Sequence, residues 1–265
     1  MVGISVTIVT LNEEENIERC LKSVKTFADE IVLVDSGSTD RTVGFATEYG
    51  VKVYYRKFDN YANQKNFAME KASGKWILSL DADEEISPEL ATEIKSQTSN
   101  LKSSIVAYSI PRKNIIFGKF IRYTRWQPEL DRHIWFWKKG KGTWVGDVHE
   151  EVIVKGEVGK LKNAKIHYQY KKVREFIDMI NGYSEFEANE KVKNGVKFSY
   201  IRLFYDPVYI FLVRYFYRLG FLDGWRGFVL SYLMAIYQMI VWIKVWEREK
   251  VSGKARLGYA WNQAN

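Results

Sequence analysis

Two aspartates two residues apart, Asp81 and Asp83, close the apolar run KWILSL and are followed directly by Glu84 and Glu85. Carboxylates at a strand end cannot both face a core, because burying one unpaired is costly; they call for water, a cation or both. Hard oxygen ligands of this kind suit Mg2+ or Mn2+, held by one or two carboxylates while diphosphate oxygens fill the other positions. A cation placed there neutralises charge that grows on a departing phosphate group. The pair also reads as a solvated turn capping a helix before Pro88, so its meaning depends on the element that presents it.

The first hundred residues alternate strand and helix. Residues 4–10 (ISVTIVT), 30–34 (EIVLV), 51–55 and 75–80 are short apolar runs rich in β-branched residues, as in buried parallel strands. Helices are expected over 13–25, 42–49 (capped by Ser38 and Asp40 and stopped at Gly50) and 63–72. The pattern implies an α/β fold with a mostly parallel, doubly wound sheet, in which ligands bind at the carboxyl ends of the strands. Those ends carry Asn12 and Glu13, then Asp35-Ser36-Gly37-Ser38, then Asp81 and Asp83. Asp35 suits a base N–H or a ribose hydroxyl, and residues 36–39 equally suit a plain helix-capping turn. Lys65, between Gln64 and Asn66, lies where a cation would meet a diphosphate or, just as well, on a solvated helix face.

The second half differs in composition. Residues 1–100 carry 11 Lys and Arg against 17 Asp and Glu, whereas residues 101–265 carry 29 against 15. The net +14 of the second half points to an anionic partner such as a lipid headgroup, or to solubility alone. Residues 101–170 suggest a smaller mixed region laid against the sheet, and 173–195 an amphipathic helix. Asp206-Pro207 is expected to open a helix. Residues 228–243 are apolar except for Ser231 and Gln238. They are short for a bilayer span, which needs ~20 residues. A helical hairpin in the membrane interface fits better, with a buried packing helix as the alternative. The single cysteine, Cys20, excludes an internal disulfide and packs on an apolar helix face. The N-terminal residues lack the basic start of a signal peptide, which suggests a cytoplasmic location. No nucleic-acid-binding motif is present.

Three stretches, SVTIVTLNEEENIERCLKSV, EIVLVDSGSTDRT and GKWILSLDADEE, resemble the donor-binding half of family 2 glycosyltransferases, which have the GT-A fold. WQPELDRHIWFWKKGKGTWVGDVHEEV, IHYQYKKVREF and GFLDGWRGF resemble the subgroup of lipopolysaccharide-core β-1,4-glucosyltransferases. The resemblance implies a Rossmann-like GT-A domain and an inverting displacement at the anomeric carbon of a UDP-sugar. It implies that Thr10, Asn12, Glu13 and Asp35 hold the nucleoside, that Asp81 sits near ribose and diphosphate, and that Asp83 ligates Mg2+ or Mn2+. Where the subgroup has an arginine that would contact phosphate, this chain has Trp135.

A base is needed to deprotonate the acceptor hydroxyl. Glu150 in Val148-His149-Glu150 and Asp131 are the candidates; Glu150 is preferred because His149 would orient it or contact donor phosphate. His133 and His167 are assigned no role. The expected organisation is a nucleotide-sugar-binding half (1–100), an acceptor-side half with mixed strands and a helix (101–200) and a C-terminal amphipathic hairpin (201–265). The expected activity is hexose transfer, glucose in the first instance, from a UDP-sugar to a lipid-linked or lipopolysaccharide-core saccharide. The enzyme would work peripherally on the anionic inner face of the cytoplasmic membrane. Two rivals stand: a sugar-nucleotide pyrophosphorylase, against which LNEEEN lacks a glycine-rich phosphate loop, and a non-catalytic basic membrane-surface protein.

Overall fold

The β-branched run near the N-terminus forms an inner strand of a ten-stranded sheet. In the computed structural model, which describes residues 3–99, 104–146 and 150–251, this strand is β1 (Ile4–Thr10). It pairs in parallel with β2 (Glu30–Asp35) on one side and β4 (Trp76–Asp81) on the other, and β3 (Lys52–Tyr55) flanks β2. The register sets Thr10 opposite Asp35 and Val9 opposite Asp81, so three polar strand ends finish side by side. Helices α1 (Ile17–Val24), α2 (Thr42–Glu48) and α3 (Tyr61–Lys71) make the crossovers. Ile17, Cys20, Leu21 and Val24 of α1 are fully buried at helical spacing in the same core as Val6 and Ile8. Glu30 ties the amino ends of the strands together: it accepts from Ser5 Oγ (2.5 Å), Ser73 N (2.6 Å) and Lys52 Nζ (2.6 Å).

Beyond β4 the sheet becomes mixed, its first pairings there antiparallel. The order is β3-β2-β1-β4-β8-β6-β12-β5. Here β5 is Glu84–Ile86, β6 Ile105–Ile116, β8 Arg132–Lys138 and β12 Lys165–Gln169. Strand β7 (Lys119–Ile121) and strand β11 (Glu157–Lys160) also pair with β6. The sequence suggested that residues 101–170 lie against the sheet; their strands instead continue it, through the β4–β8 pair that sets Trp76 opposite Lys138. The stacked rings of Trp76 and Phe136 (4.7 Å) lie at this junction. Helix α4 (Pro88–Ser99) buries Leu90 and Ile94. A separate hairpin, β9 (Gly142–Val145) with β10 (Glu151–Val154), precedes β11.

The chain divides into two compact units, Met1–Asn114 with Pro128–Gln169, and Ile115–Gln127 with Tyr170–Asn265. The first contains the core described above. In the second, α5 (Val173–Lys193), α6 (Tyr200–Leu212) and α7 (Trp225–Trp246) pack around Phe176, Ile180, Leu230 and Leu233, with a smaller cluster at Ala188, Trp242 and Val245. Contrary to expectation, Asp206-Pro207 does not open a helix. Helix α6 begins at Tyr200, where Ser199 Oγ caps Arg202 N, and Pro207 lies inside it. Proline there removes one intrahelical hydrogen bond, but the apolar contact of Leu203 with the Trp242 cluster carries the helix through. Asp206 is used differently, accepting from Trp242 Nε1 at 2.8 Å. Gly224, at φ 65°, turns the chain into α7.

Candidate active site

The ends of β1 and β2 form a rim held by hydrogen bonds between the two loops that follow them. Asn12, in the left-handed region at φ 55°, donates its N–H to Ser38 Oγ (2.9 Å) and accepts from Thr39 N (2.9 Å). Glu13 donates its N–H to Thr42 Oγ1 (2.8 Å) and accepts from Asn16 Nδ2 (2.7 Å). Buried Asp35 accepts from Gly37 N (2.8 Å), Ser38 N (2.9 Å) and Ser38 Oγ (2.5 Å), which occupies most of the roughly four acceptor positions of a carboxylate. Thr10, the last residue of β1, is buried, and its Oγ1 has no partner among the described residues. Gln64 links the rim to α3 by donating to Ser36 Oγ (2.9 Å).

Lys65 is the buried cation of the site. Its side chain is 2% exposed, and its ammonium lies 3.0 Å from Asp81 Oδ1 and 2.9 Å from Glu150 Oε1, so it is not on a solvated face. The rings of Trp144 and Trp135 lie 4.5 and 5.2 Å from it. Burial alone would lower the lysine pKa, but Asp81 and Glu150 outweigh it and hold the group above the ordinary lysine range. Reciprocally, the ammonium groups of Lys65 and Lys165 overcome the burial of Asp81 and keep its carboxyl well below the usual range. Glu150 reaches Lys65 because Asn66 docks the β9–β10 hairpin on α3. Its side chain donates to Trp144 O (2.9 Å) and accepts from Trp144 N (3.0 Å). His149 lies outside the described residues.

A second chain of contacts starts at Asp83. Its Oδ2 lies 3.1 Å from His167 Nε2, and His167 Nδ1 lies 3.1 Å from Asn114 Oδ1. Asn114 in turn donates to Asp131 Oδ2 at 2.7 Å. An amide oxygen only accepts, so Nδ1 carries the imidazole proton. Nε2 of a neutral ring then presents a lone pair to a carboxylate oxygen, which a proton or a metal ion would satisfy. Asp131 is buried and accepts a two-pronged bond from Arg112 Nε (3.0 Å) and Nη2 (2.9 Å), with His133 Nε2 at 3.3 Å. Against burial, His133, Arg112 and Asn114 keep its carboxyl well below the usual range. Beneath Asp81, the fully buried pair Glu84 and Lys165 meet at 2.5 Å. Burial lowers the Lys165 ammonium to about 8 despite Glu84 and Asp81.

The donor set suits a hard divalent cation. Asp83 is partly exposed and stands beside His167 Nε2, whose outer nitrogen is fixed by Asn114, a common arrangement at metal ligands. Among the described residues no three His, Cys, Asp or Glu side chains converge into a ready cage. That accords with an ion completed by diphosphate and water.

Lys65, Asp81 and Glu150 therefore come together, Asn12 and Asp35 meet in the rim, and Asp131 sits with the Asp83 chain through Asn114 and His167. The sequence reading missed Glu84, Arg112, Asn114, His167 and Lys165. The one signal for His167 was its place in a strand, with residues alternately facing the site; the β5–β12 register sets it opposite Glu84.

Residues 5–150 match the family described as glycosyl transferase family 2. The Rickettsia typhi glycosyltransferase RT0209 is 33% identical over 251 residues, covering 91% of this chain and 85% of its own. The lipopolysaccharide core biosynthesis glycosyltransferase LpsC of Rhizobium meliloti is 29% identical over 259 residues, covering 95% of this chain and 94% of its own. Among solved structures, S. aureus TarS matches 71% of this chain and 40% of its own with a TM-score of 0.47 at 17% identity. With a family match over more than half its length and a relative 33% identical over 91% of it, the chain belongs to glycosyl transferase family 2 and is a glycosyltransferase.

Proposed function

We propose that the enzyme moves a hexose, glucose in the first instance, from a UDP-sugar to a lipid-linked saccharide of the lipopolysaccharide-core kind, with inversion at the anomeric carbon. The observation that carries this reading is Lys65, which joins the Asp81 end of β4 to Glu150 at 3.0 and 2.9 Å. Donor-side and acceptor-side carboxylates thereby share one buried cation. Glu150 takes the proton of the acceptor hydroxyl as that oxygen attacks the anomeric carbon and UDP leaves. Asp131, locked by Arg112, Asn114 and His133, is the poorer base and acts through Asn114. Thr10, Asn12, Glu13 and Asp35 form the nucleoside rim, and Asp81 lies toward ribose and diphosphate. Mg2+ or Mn2+, held by Asp83 and His167, would supply positive charge to the diphosphate as UDP departs. His149 is kept as a donor-phosphate contact. The name of LpsC supports the acceptor class, and the basic second half supports work at an anionic inner membrane face.

UDP release from UDP-glucose, UDP-galactose and UDP-N-acetylglucosamine with Mn2+ tests the reaction. Wild-type protein is expected to release UDP and no pyrophosphate. Asp83→Ala is expected to lose at least about a hundredfold in rate, the scale on which removing one charge-stabilising group acts, with its far-UV circular dichroism unchanged. Pyrophosphate release would favour the pyrophosphorylase reading, and full activity of Asp83→Ala would end the metal assignment.

A further inference from the structure

The second unit carries an apolar surface that its own helices do not cover. No residue of α6 is buried. Ile201, Phe204, Tyr205, Val208, Tyr209 and Leu212 lie on one side of it, all exposed, with Ile201 at 79% and Phe204 at 69%. Beyond the helix Phe216, Tyr217, Leu222 and Trp225 are exposed as well, the last at 74%. An apolar helix face left exposed in this way marks an interaction site. Helix α7, long and apolar enough to cross a membrane, buries 39% of its apolar window, with Leu230, Leu233, Val241, Trp242 and Val245 set against the unit's own core.

The charges say what covers this face. From residue 196 to 246 there are two acids and six bases. Both acids are turned inward: Asp206 accepts from Trp242 Nε1, and Asp223 accepts the backbone N–H groups of Arg122 (3.0 Å) and Tyr123 (2.8 Å). At the corner after α6, Arg214 donates to Thr124 O, and the positive charges of Arg125 and Arg218 lie near enough to reinforce the effect of burial on its guanidinium. Among the described residues none of these three arginines has a carboxylate partner. A second copy of this surface would set like charges against one another, whereas an anionic lipid surface complements them. Tyrosine and tryptophan beside exposed Ile, Phe and Val form the composition that settles at a bilayer interface.

We infer that the second unit docks on anionic lipid with α6 lying in the membrane plane. The exposed face of α6 enters the acyl boundary, Arg125 and Arg218 take headgroup phosphate, and α7 keeps its buried side packed on the unit's own core. This rests on the membrane-surface part of the proposed function and names the element that makes it.

Sedimentation of the full chain with phosphatidylcholine vesicles, with and without phosphatidylglycerol, tests it. Wild-type protein is expected to pellet with the anionic vesicles and to be released by high salt. The triple variant Ile201→Ser, Phe204→Ser, Val208→Ser is expected to bind them at least about tenfold more weakly, from the apolar area it withdraws. Arg125→Gln with Arg218→Gln is expected to lose the preference for anionic vesicles. Both variants alter exposed or half-exposed side chains, and unchanged UDP release from the donor in detergent verifies that they fold. If wild-type protein binds and the triple variant binds equally, the α6 assignment fails while the membrane reading stands. If wild-type protein ignores every vesicle, the membrane reading fails as well. Retention through high salt and alkaline carbonate would mean a spanning helix, and a triple variant that changed self-association in place of vesicle binding would mean a protein partner; either overturns the inference.

Discussion

Asn114 touches neither a strand end nor the Lys65 pair, yet it decides which nitrogen of His167 faces Asp83. Its amide is held by Asp131, and Asp131 by Arg112, so the ring orientation is set three side chains away. Asn114→Ala is therefore expected to weaken Mn2+ binding about 10- to 100-fold, the usual effect of losing such an outer partner. UDP binding without metal should be unchanged, and titration calorimetry separates the two; equal loss of both would mean a general collapse of the site. Much at this scale could be read in the sequence where the signal is local. Asp81 and Asp83 stand two residues apart at the end of an apolar run, and their pairing with a site needs only that strand. His167 and Lys165 could not be found that way, because they reach Asp83 and Glu84 only through the β5–β12 register, across more than eighty residues.

Among the elements, the parallel half of the sheet followed from β-branched runs alternating with amphipathic helices. The antiparallel half did not: whether residues 132–138 lie on a sheet or continue it depends on pairing with β4, which no local period records. Pro207 misled for a related reason, since a proline that is favoured at a helix start was held inside α6 by tertiary contact. Glu30 shows how the parallel strands are tied. Burial would raise its carboxyl pKa, but Lys52, Ser5 and the Ser73 amide lower it to about 2. The unfolded chain takes up that proton first, near the ordinary value of about 4.3. The stabilisation is thus complete above that pH and lost as the pH falls toward the folded value. Glu30→Gln is expected to flatten the acid side of the stability curve in this window and to cost about 2 kcal/mol at neutral pH, allowing for the exposure of Lys52. Urea midpoints across pH measure both, and an unchanged acid limb would show that the clamp contributes nothing.

For the whole molecule, an acidic first part and a basic second part are legible in the sequence, and the structure divides the chain differently, into two interleaved units. The three polar strand ends belong to the first unit, while the uncovered apolar face and its arginines belong to the second. The boundary itself was hidden, because the second unit borrows residues 115–127 from the middle of the chain, and a discontinuous unit leaves no linker to recognise. Ligand linkage offers a test at this scale. UDP with Mn2+ at a hundredfold excess over Kd is expected to stabilise the native protein by about 2.7 kcal/mol, a rise in Tm of several degrees. Asp83→Ala should show a much smaller rise with Mn2+ and the same response to UDP alone; a full Mn2+-dependent rise in the variant would move the metal elsewhere.

Cys20 gives the chain a built-in clock. Its thiol is fully buried on α1, 3.7 Å from the carbonyl of Asp81, and burial together with the carboxylates of Glu84, Asp83 and Asp81 pushes it well above the ordinary thiol range. Only a thiolate reacts with maleimides, so the native enzyme should stay unlabelled, and each labelled molecule counts one opening of α1 away from the end of β4. Since no other thiol exists to blur the count, the rate at which donor nucleotide slows labelling would report how firmly an occupied site holds its own scaffold shut.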